Sequence, residues 1–379
     1  MSDRIRVVVA DDSAFVRRLL ASYLGAAPGV EVVGSAATGH HAIELVRRLR
    51  PDVVTLDLDM PELDGLEALA VIMKETPTPA VMISGVSGRA AGRTFVALEL
   101  GAVDFVLKYS PTGDVDPATL RSEIVAKVEA AARIREIRSR GGARRGGWTA
   151  GVSAPAALPS PSPPATAAGA PVAVAAAARP AAALLAGGVV AIGASTGGPV
   201  ALKELLGHLP ASFPAAVLIV QHMPASFTGV LAAQLDRQVG LTVRQAADGD
   251  PLQPGTALVA PGGRHLLLGP DSRVVLHDGP EIHGHRPSID VTMQAVAQLY
   301  GARARGVLLT GMGQDGALGL LAIRVRGGQT FAQDAQSCVV NGMPQRAIEK
   351  GAAECVASPR QIAHLLALEA PAQPRRQAC

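Results

Sequence analysis

The sequence predicts an α/β protein with two doubly wound, mainly parallel sheets, and three observations carry that prediction. Short Val, Ile and Leu strands alternate with helical stretches in both halves of the chain. Residues 141–187, rich in Ala, Pro, Gly and Ser, separate the two alternating regions. A length of 379 residues with 48% hydrophobic content is enough for two or three cores. Aromatic residues make up only 3%, so Val, Leu, Ile and Ala must fill those cores.

Composition also excludes several classes. No run of about 18 apolar residues has the hydropathy of a membrane span. The nearest candidate, Pro171–Gly188, is mostly Ala and is broken by Arg179 and Pro180, so no membrane insertion is expected. Cys338, Cys355 and Cys379 lie far apart with no CxxC, which indicates neither a disulfide framework nor a structural zinc. The net charge is +3. Residues 1–140 carry 17 Lys and Arg against 19 Asp and Glu, residues 141–187 carry 3 against none, and residues 188–379 carry 15 against 13. Neither half is a nucleic-acid grip. Met1–Arg6 runs straight into a strand with no leader-like segment, which reads as a cytoplasmic address.

In the first half, strands are expected at Ile5–Ala10, Val30–Ser35, Val53–Asp57, Ala80–Ser84 and Asp104–Leu107. Helices are expected at Phe15–Gly25, His41–Leu49, Leu66–Lys74, Arg93–Leu100 and Ile124–Arg138. Five strands interleaved with helices imply a parallel sheet covered on both faces, with ligands at the strands' carboxyl ends. Asp11 and Asp12 end the first strand, Asp57 the third, Ser84 the fourth and Lys108 the fifth. Three converging carboxylates repel, and a hard cation such as Mg²⁺ relieves that repulsion. A carboxylate beside such an ion can accept a phosphoryl group, with Ser84 and Lys108 neutralising the new oxygens. The plainer alternative is that Asp12, Ser13 and Asp64 only cap helices.

The pieces Val9-Ala10-Asp11-Asp12-Ser13, Leu56-Asp57-Leu58-Asp59-Met60-Pro61, Asp64-Gly65-Leu66 and Ala102–Lys108 resemble the receiver domain of two-component response regulators. The resemblance implies a flavodoxin-like receiver over residues 1–140, Asp57 as phosphoacceptor, and Asp11, Asp12 and Asp57 as Mg²⁺ ligands. It further implies Ser84 in the hydroxyl role, Lys108 beside the phosphoryl group, Phe105 as switch aromatic and a histidine kinase as phosphodonor. Tyr109 stands where receivers usually carry proline, a departure that bears on the lysine loop.

Residues 141–187 contain no acidic residue and no sustained periodicity, which reads as a mobile tether carrying the sole tryptophan, Trp148. A packed Ala-rich helix at Val172–Ala178 is the alternative.

In the second half, Val189–Ile192 leads into Gly193-Ala194-Ser195-Thr196-Gly197-Gly198 and a helical Val200–Leu206. A serine between glycines on a strand-to-helix turn fits a nucleophile elbow. A glycine-rich phosphate loop or a simple capped turn fits the same residues. The strand Val217–Val220 ends at His222, and Val307–Leu309 leads to a glycine loop holding Met312 and Asp315 before the helical Ala317–Val325. If these strands are neighbours, a hydroxyl, an imidazole and a carboxylate share one sheet edge. His277, His283 and His285 cluster before Arg286-Pro287, without a fixed metal-ligand pattern, and read as a surface or substrate-facing loop.

Ala191–Gly198, Gln221–Pro224, Ala260–Gly262, His277–Pro280, His285–Asp290, Leu309–Gly313 and Cys338–Val340 together resemble the chemotaxis protein-glutamate methylesterases. The resemblance implies a catalytic domain over 188–370 with a tail at 371–379, a Ser195, His222 and Asp315 triad, and oxyanion stabilisation from the Met312 loop. It also implies methyl-accepting chemoreceptors as substrates, hydrolysis of glutamyl methyl esters, deamidation of glutamines, activation by phosphorylation, and no cofactor for the esterase. The rival expectation is a response regulator whose output domain is non-catalytic or binds DNA.

Overall fold

Buried runs of β-branched and leucine residues become parallel strands, and each amphipathic stretch between them becomes a crossover helix. The computed structural model describes residues 4–85, 88–108, 117–141, 185 and 187–368. The expected tether with Trp148 and the Val172–Ala178 alternative lie outside the described residues, as do Tyr109 and the tail at 371–379.

The first half runs β1 (Ile5–Ala10), α1 (Ala14–Gly25), β2 (Val30–Ala36), α2 (Gly39–Leu49), β3 (Val53–Asp57), α3 (Gly65–Glu75), β4 (Ala80–Ser84), α4 (Gly88–Glu99), β5 (Asp104–Leu107) and α5 (Pro117–Gly141). Its sheet order is β2-β1-β3-β4-β5, all parallel. Strands β3 and β4 are buried along their whole length, as a sheet covered on both faces requires. Ser13 caps α1, and Asp64 with Glu67 forms a capping box on α3, so two of the acids and hydroxyls near the strand ends do serve the helices.

The second half runs β6 (Val189–Ala194), α6 (Gly198–Gly207), β7 (Ala216–Gln221), α7 (Ala225–Asp236), β8 (Thr242–Gln245), β9 (Thr256–Val259), β10 (His265–Leu268), β11 (Val274–His277), α8 (Ile289–Tyr300), β12 (Ala304–Leu308), α9 (Ala317–Val325), β13 (Gln329–Gln333), α10 (Met343–Glu349), β14 (Cys355–Ala357) and α11 (Pro359–Leu368). Seven strands form a parallel sheet in the order β14-β13-β12-β6-β7-β9-β8, and β10 and β11 form a separate antiparallel hairpin. The chain leaves β6 towards β7 on one side and later returns to β12 on the other, so the strand order reverses at β6. Ligands of such sheets sit in the crevice at that reversal. Buried Arg305 on β12 ties this half together: it donates to the carbonyls of Gly187 and Leu366 and lies 5.4 Å from the centre of the Phe213 ring.

The two halves share one continuous apolar cluster, from Val8 and Leu56 in the first sheet to Ile192 and Ile219 in the second. Phe227 on α7 is the joint. It stacks on Phe105 of β5 with ring centres 4.5 Å apart and tilts against Phe95 of α4 at 6.2 Å. Beside it, Glu99 at the end of α4 accepts from Lys203 at 2.8 Å and from Gln238 at 2.9 Å. These donors hold the Glu99 carboxyl below the usual range. Among the described residues no helix is long and apolar enough to cross a membrane.

Truncating Phe227 to alanine leaves a void between the halves. Phe227→Ala is expected to lose about 3–5 kcal/mol of stability, measured by urea unfolding, and to uncouple the unfolding of the two halves in differential scanning calorimetry.

Candidate active site

The pairing of β6 with β7 runs in register up to Ala194 opposite Gln221, and His222 N–H donates to the Ala194 carbonyl at 3.0 Å. Ser195 and His222 are therefore the next residues out of two adjacent strands. The turn after β6 needs its glycines. Gly197 has φ +76°, and a Cβ on Gly198 would overlap the Gln221 side-chain oxygen. The same Gln221 side chain donates to the carbonyls of Ser195 at 2.9 Å and His222 at 3.1 Å, clamping both loops.

On the other side of β6, the loop after β12 is bonded to the same turn. Ser195 N–H donates to the Thr310 carbonyl at 3.0 Å, and a Cβ on Gly311 would come within 2.7 Å of the Ser195 Cβ. Met312 follows at the rim, 45% exposed. This loop returns Asp315 to His222, whose Nε2 lies 2.9 Å from Asp315 Oδ2.

Asp315 is buried at the N-terminus of α8, where a carboxylate is favoured by amides and helix dipole together. It accepts from the Ser288 hydroxyl at 2.8 Å and from the amides of Ile289 at 2.7 Å, Asp290 at 3.0 Å and Gly316 at 3.0 Å. Burial alone would raise its pKa, but the bond to His222 and these amides bring it down to about 2. An ionised Asp315 accepts, so Nε2 of His222 carries the proton and Nδ1 carries the lone pair. That Nδ1 is buried and has no hydrogen-bond partner. Nδ1 is thus the free nitrogen of this imidazole.

The histidine cluster before Arg286 is not merely a surface loop. His285 stacks on His222 with ring centres 3.8 Å apart and planes 15° from parallel. Burial, and then the neighbouring His222, push His285 down to about 4, so it is a neutral ring. His283 Nε2 lies 3.6 Å from Asp290, whose carboxyl burial pushes up to about 6. The cleft over these residues, about 790 Å³, is bordered by Met312, Val339 and Arg346 from the second half and by Ala130 and Arg133 of α5 from the first. Sequence reasoning missed the His285 stack and the four donors to Asp315. The only available signal for the donors was Ser288 before a helical stretch, an N-cap pattern.

A second constellation lies at the strand ends of the first sheet. Lys108 Nζ reaches Asp57 at 2.6 Å and Asp11 at 2.9 Å. Carboxylate oxygens of Asp11, Asp12 and Asp57 lie within 4.8 Å of one another. Burial raises the Asp57 pKa to about 6; Lys108 opposes the rise and Asp11 adds to it. Ser84 is at the adjacent strand end, but its hydroxyl is 2.8 Å from that of Thr94 and donates to Gly85 O at 3.1 Å. Phe105 is turned inward, stacked on Phe227, and Lys127 of α5 donates to its carbonyl.

Residues 190–366 match the family model described as CheB methylesterase, and residues 7–119 match that of the response regulator receiver domain. A protein-glutamate methylesterase/protein-glutamine glutaminase of Symbiobacterium thermophilum is 45% identical over 371 residues, covering 96% of this chain and 97% of that protein. One of Pyrococcus abyssi is 40% identical over 366 residues, covering 93% and 90%. The crystal structure of the Thermotoga maritima CheB methylesterase catalytic domain aligns with 48% of this chain and 97% of its own at 40% identity, with a TM-score of 0.47.

The raised pKa of Asp57 sets a pH dependence. Its ionised form is the costly one in the folded state, so its contribution to stability is complete below 3.8 and is lost as pH rises through about 6. Asp57→Asn is therefore expected to be more stable than wild type above that range by about 2–3 kcal/mol. The gap should close towards pH 4, as read from urea unfolding across the interval.

Proposed function

We propose, for a chain that belongs to the CheB methylesterase family and carries a response regulator receiver domain, that Ser195, His222 and Asp315 hydrolyse glutamyl methyl esters of methyl-accepting chemoreceptors. The observation that carries this reading is the emergence of Ser195 and His222 side by side from β6 and β7, with Asp315 bonded to Nε2 of the imidazole.

His222 Nδ1 takes the Ser195 hydroxyl proton as Oγ bonds to the ester carbonyl carbon. Backbone amides of the Met312 loop hold the oxyanion, a contribution of about 2.7–4 kcal/mol per donor. The carbon–methoxy bond breaks, and methanol leaves with the proton from Nδ1. Water then gives a proton to Nδ1 and attacks the acyl-serine, which releases glutamate and restores Ser195. Asp315 keeps the proton on Nε2 and offsets the imidazolium charge. The same steps on a glutamine side chain release ammonia, which is the glutaminase activity.

The receiver is assigned to residues 1–140, the tether to 141–187, the catalytic domain to 188–370 and the tail to 371–379. Asp57 is the phosphoacceptor for a histidine kinase. Its surroundings suit Mg²⁺: three carboxylates in oxygen-ligand range face the Lys108 ammonium, and burial, with Asp11 beside it, makes the Asp57 charge costly enough to raise its pKa to about 6. Asp11, Asp12 and Asp57 would hold that ion, which when bound supplies charge neutralisation for the phosphoryl oxygens. Lys108 is already in place beside Asp57. Ser84 would leave Thr94 to meet a phosphoryl oxygen, and Phe105 connects this pocket to Phe227. Because α5 borders the catalytic cleft, the unphosphorylated receiver restricts receptor access, and phosphorylation relieves the restriction. The cytoplasm is the compartment that such a kinase and receptor tails require. The DNA-binding alternative finds no support in a seven-stranded parallel sheet.

The test is methanol release from methylated receptor, with and without a small acyl-phosphate donor and Mg²⁺. Ser195→Ala is expected to lose at least about 10³-fold in kcat, and Asp57→Ala to lose the response to the donor. Wild-type rates from Ser195→Ala would sink the hydrolase reading, and a donor response in Asp57→Ala would sink the switch.

A further inference from the structure

His265, at the start of the β10–β11 hairpin, is a buried histidine outside the triad with both ring nitrogens committed. Its Nε2 lies 2.9 Å from the Pro280 carbonyl, and its Nδ1 lies 3.1 Å from the Ser288 backbone nitrogen. A carbonyl can only accept and a backbone N–H can only donate, so the ring is neutral, with its proton on Nε2 and its lone pair on Nδ1. Adding a second proton would set Nδ1–H against Ser288 N–H. The ring is 3% exposed, so water cannot replace a lost partner.

Ser288 is where this bond matters. Its hydroxyl donates to Asp315 Oδ1, and the next two amides donate to the same carboxylate. The entry to α8 is therefore held between His265 on one side and Asp315 on the other, and Asp315 in turn holds His222. A second link between hairpin and helix, from the Thr292 hydroxyl to the Leu266 carbonyl at 2.8 Å, attaches α8 one turn further on without touching Asp315.

We propose that His265 is a positioning residue for the reaction: by accepting the Ser288 N–H it sets the three donors that place Asp315, and through Asp315 the tautomer and orientation of His222. This rests on Asp315 being the acid of the triad. The effect is on alignment, so it falls on kcat rather than on receptor binding.

Two substitutions separate the two nitrogens. In His265→Asn the side-chain oxygen takes the place of Nδ1 and can accept Ser288 N–H, while the Pro280 partner is lost. In His265→Gln the terminal amide reaches Pro280, while the Ser288 partner is lost. With the phosphodonor-activated full chain and methylated receptor, H265N is expected to keep kcat within about threefold of wild type. H265Q is expected to lose roughly 10–100-fold in kcat with KM unchanged. The downfield His222 Nε2 proton should persist in H265N and be lost or displaced in H265Q. Thr292→Val is the control for simple attachment of hairpin to helix, and it should lower thermal stability without moving kcat.

Equal activity in H265N and H265Q, or a kcat loss in T292V matching that of H265Q, overturns the proposal. Asp315→Ala in the same assay keeps the two readings apart: if it retains wild-type kcat the triad assignment fails, whereas its collapse beside a fully active H265Q condemns only the role of His265. Should either His265 variant fail to fold, ¹⁵N NMR of the wild-type chain decides. Coupling between Ser288 N–H and His265 Nδ1 is required in the active protein, and an Nδ1–H tautomer overturns the proposal.

Discussion

The proposed catalytic arrangement depends on one buried negative charge, the Asp315 carboxylate at the entry to α8. A lone carboxylate inside a protein neutralises itself by taking a proton. Asp315 stays ionised because the Ser288 hydroxyl, three backbone amides and the His222 ring all point hydrogens at it. Those donors are fixed by secondary structure, so they cost little reorganisation when a proton moves onto His222. The carboxylate in turn decides which nitrogen of His222 is free. A protonated Nε2 on the Asp315 side leaves Nδ1 as the unprotonated nitrogen.

Asp57 shows the same residue type under the opposite balance. Its ammonium partner, Lys108, is shared with Asp11, and a backbone bond from Asp59 adds only a small lowering. Burial therefore dominates, and the carboxyl is pushed up to about 6 where that of Asp315 falls to about 2. A carboxylate that must orient an imidazole benefits from full compensation. In the proposed reading Asp57 accepts a phosphoryl group, and a carboxylate in that role benefits from a pocket that a cation can complete. The two halves of the chain thus use buried aspartates for different ends, and the number of donors makes the difference.

Among the described residues, stacked rings and polar bonds join the halves. Phe105, three residues before Lys108, stacks on Phe227, and Phe227 belongs to the helix that begins three residues after His222. Lys127 bonds the Phe105 carbonyl from α5, the helix that also borders the catalytic cleft. Packed rings thus join β5 to α7, with the Glu99 and Lys203 pair beside them as a polar tie. Packed interfaces of this kind shift between discrete arrangements rather than deform gradually.

The sequence by itself determined the two alternating α/β regions and the strands that carry Asp11, Asp57, Ser195 and His222. Long apolar runs between glycines permit few other structures, and strand ends locate chemistry in parallel sheets. It left unread the short strands β8, β9, β10, β11, β13 and β14, because three to five residues carry little periodicity of their own. Only the tertiary structure decided that β12 and β7 flank β6, which brings three loops spread along residues 195–315 to one edge. It alone revealed the His285 ring against His222, the donors around Asp315 and the His265 bond to Ser288. Hydrogen bonds and ring contacts between distant segments depend on distance and direction in space, and the order of residues along a chain does not encode these locally.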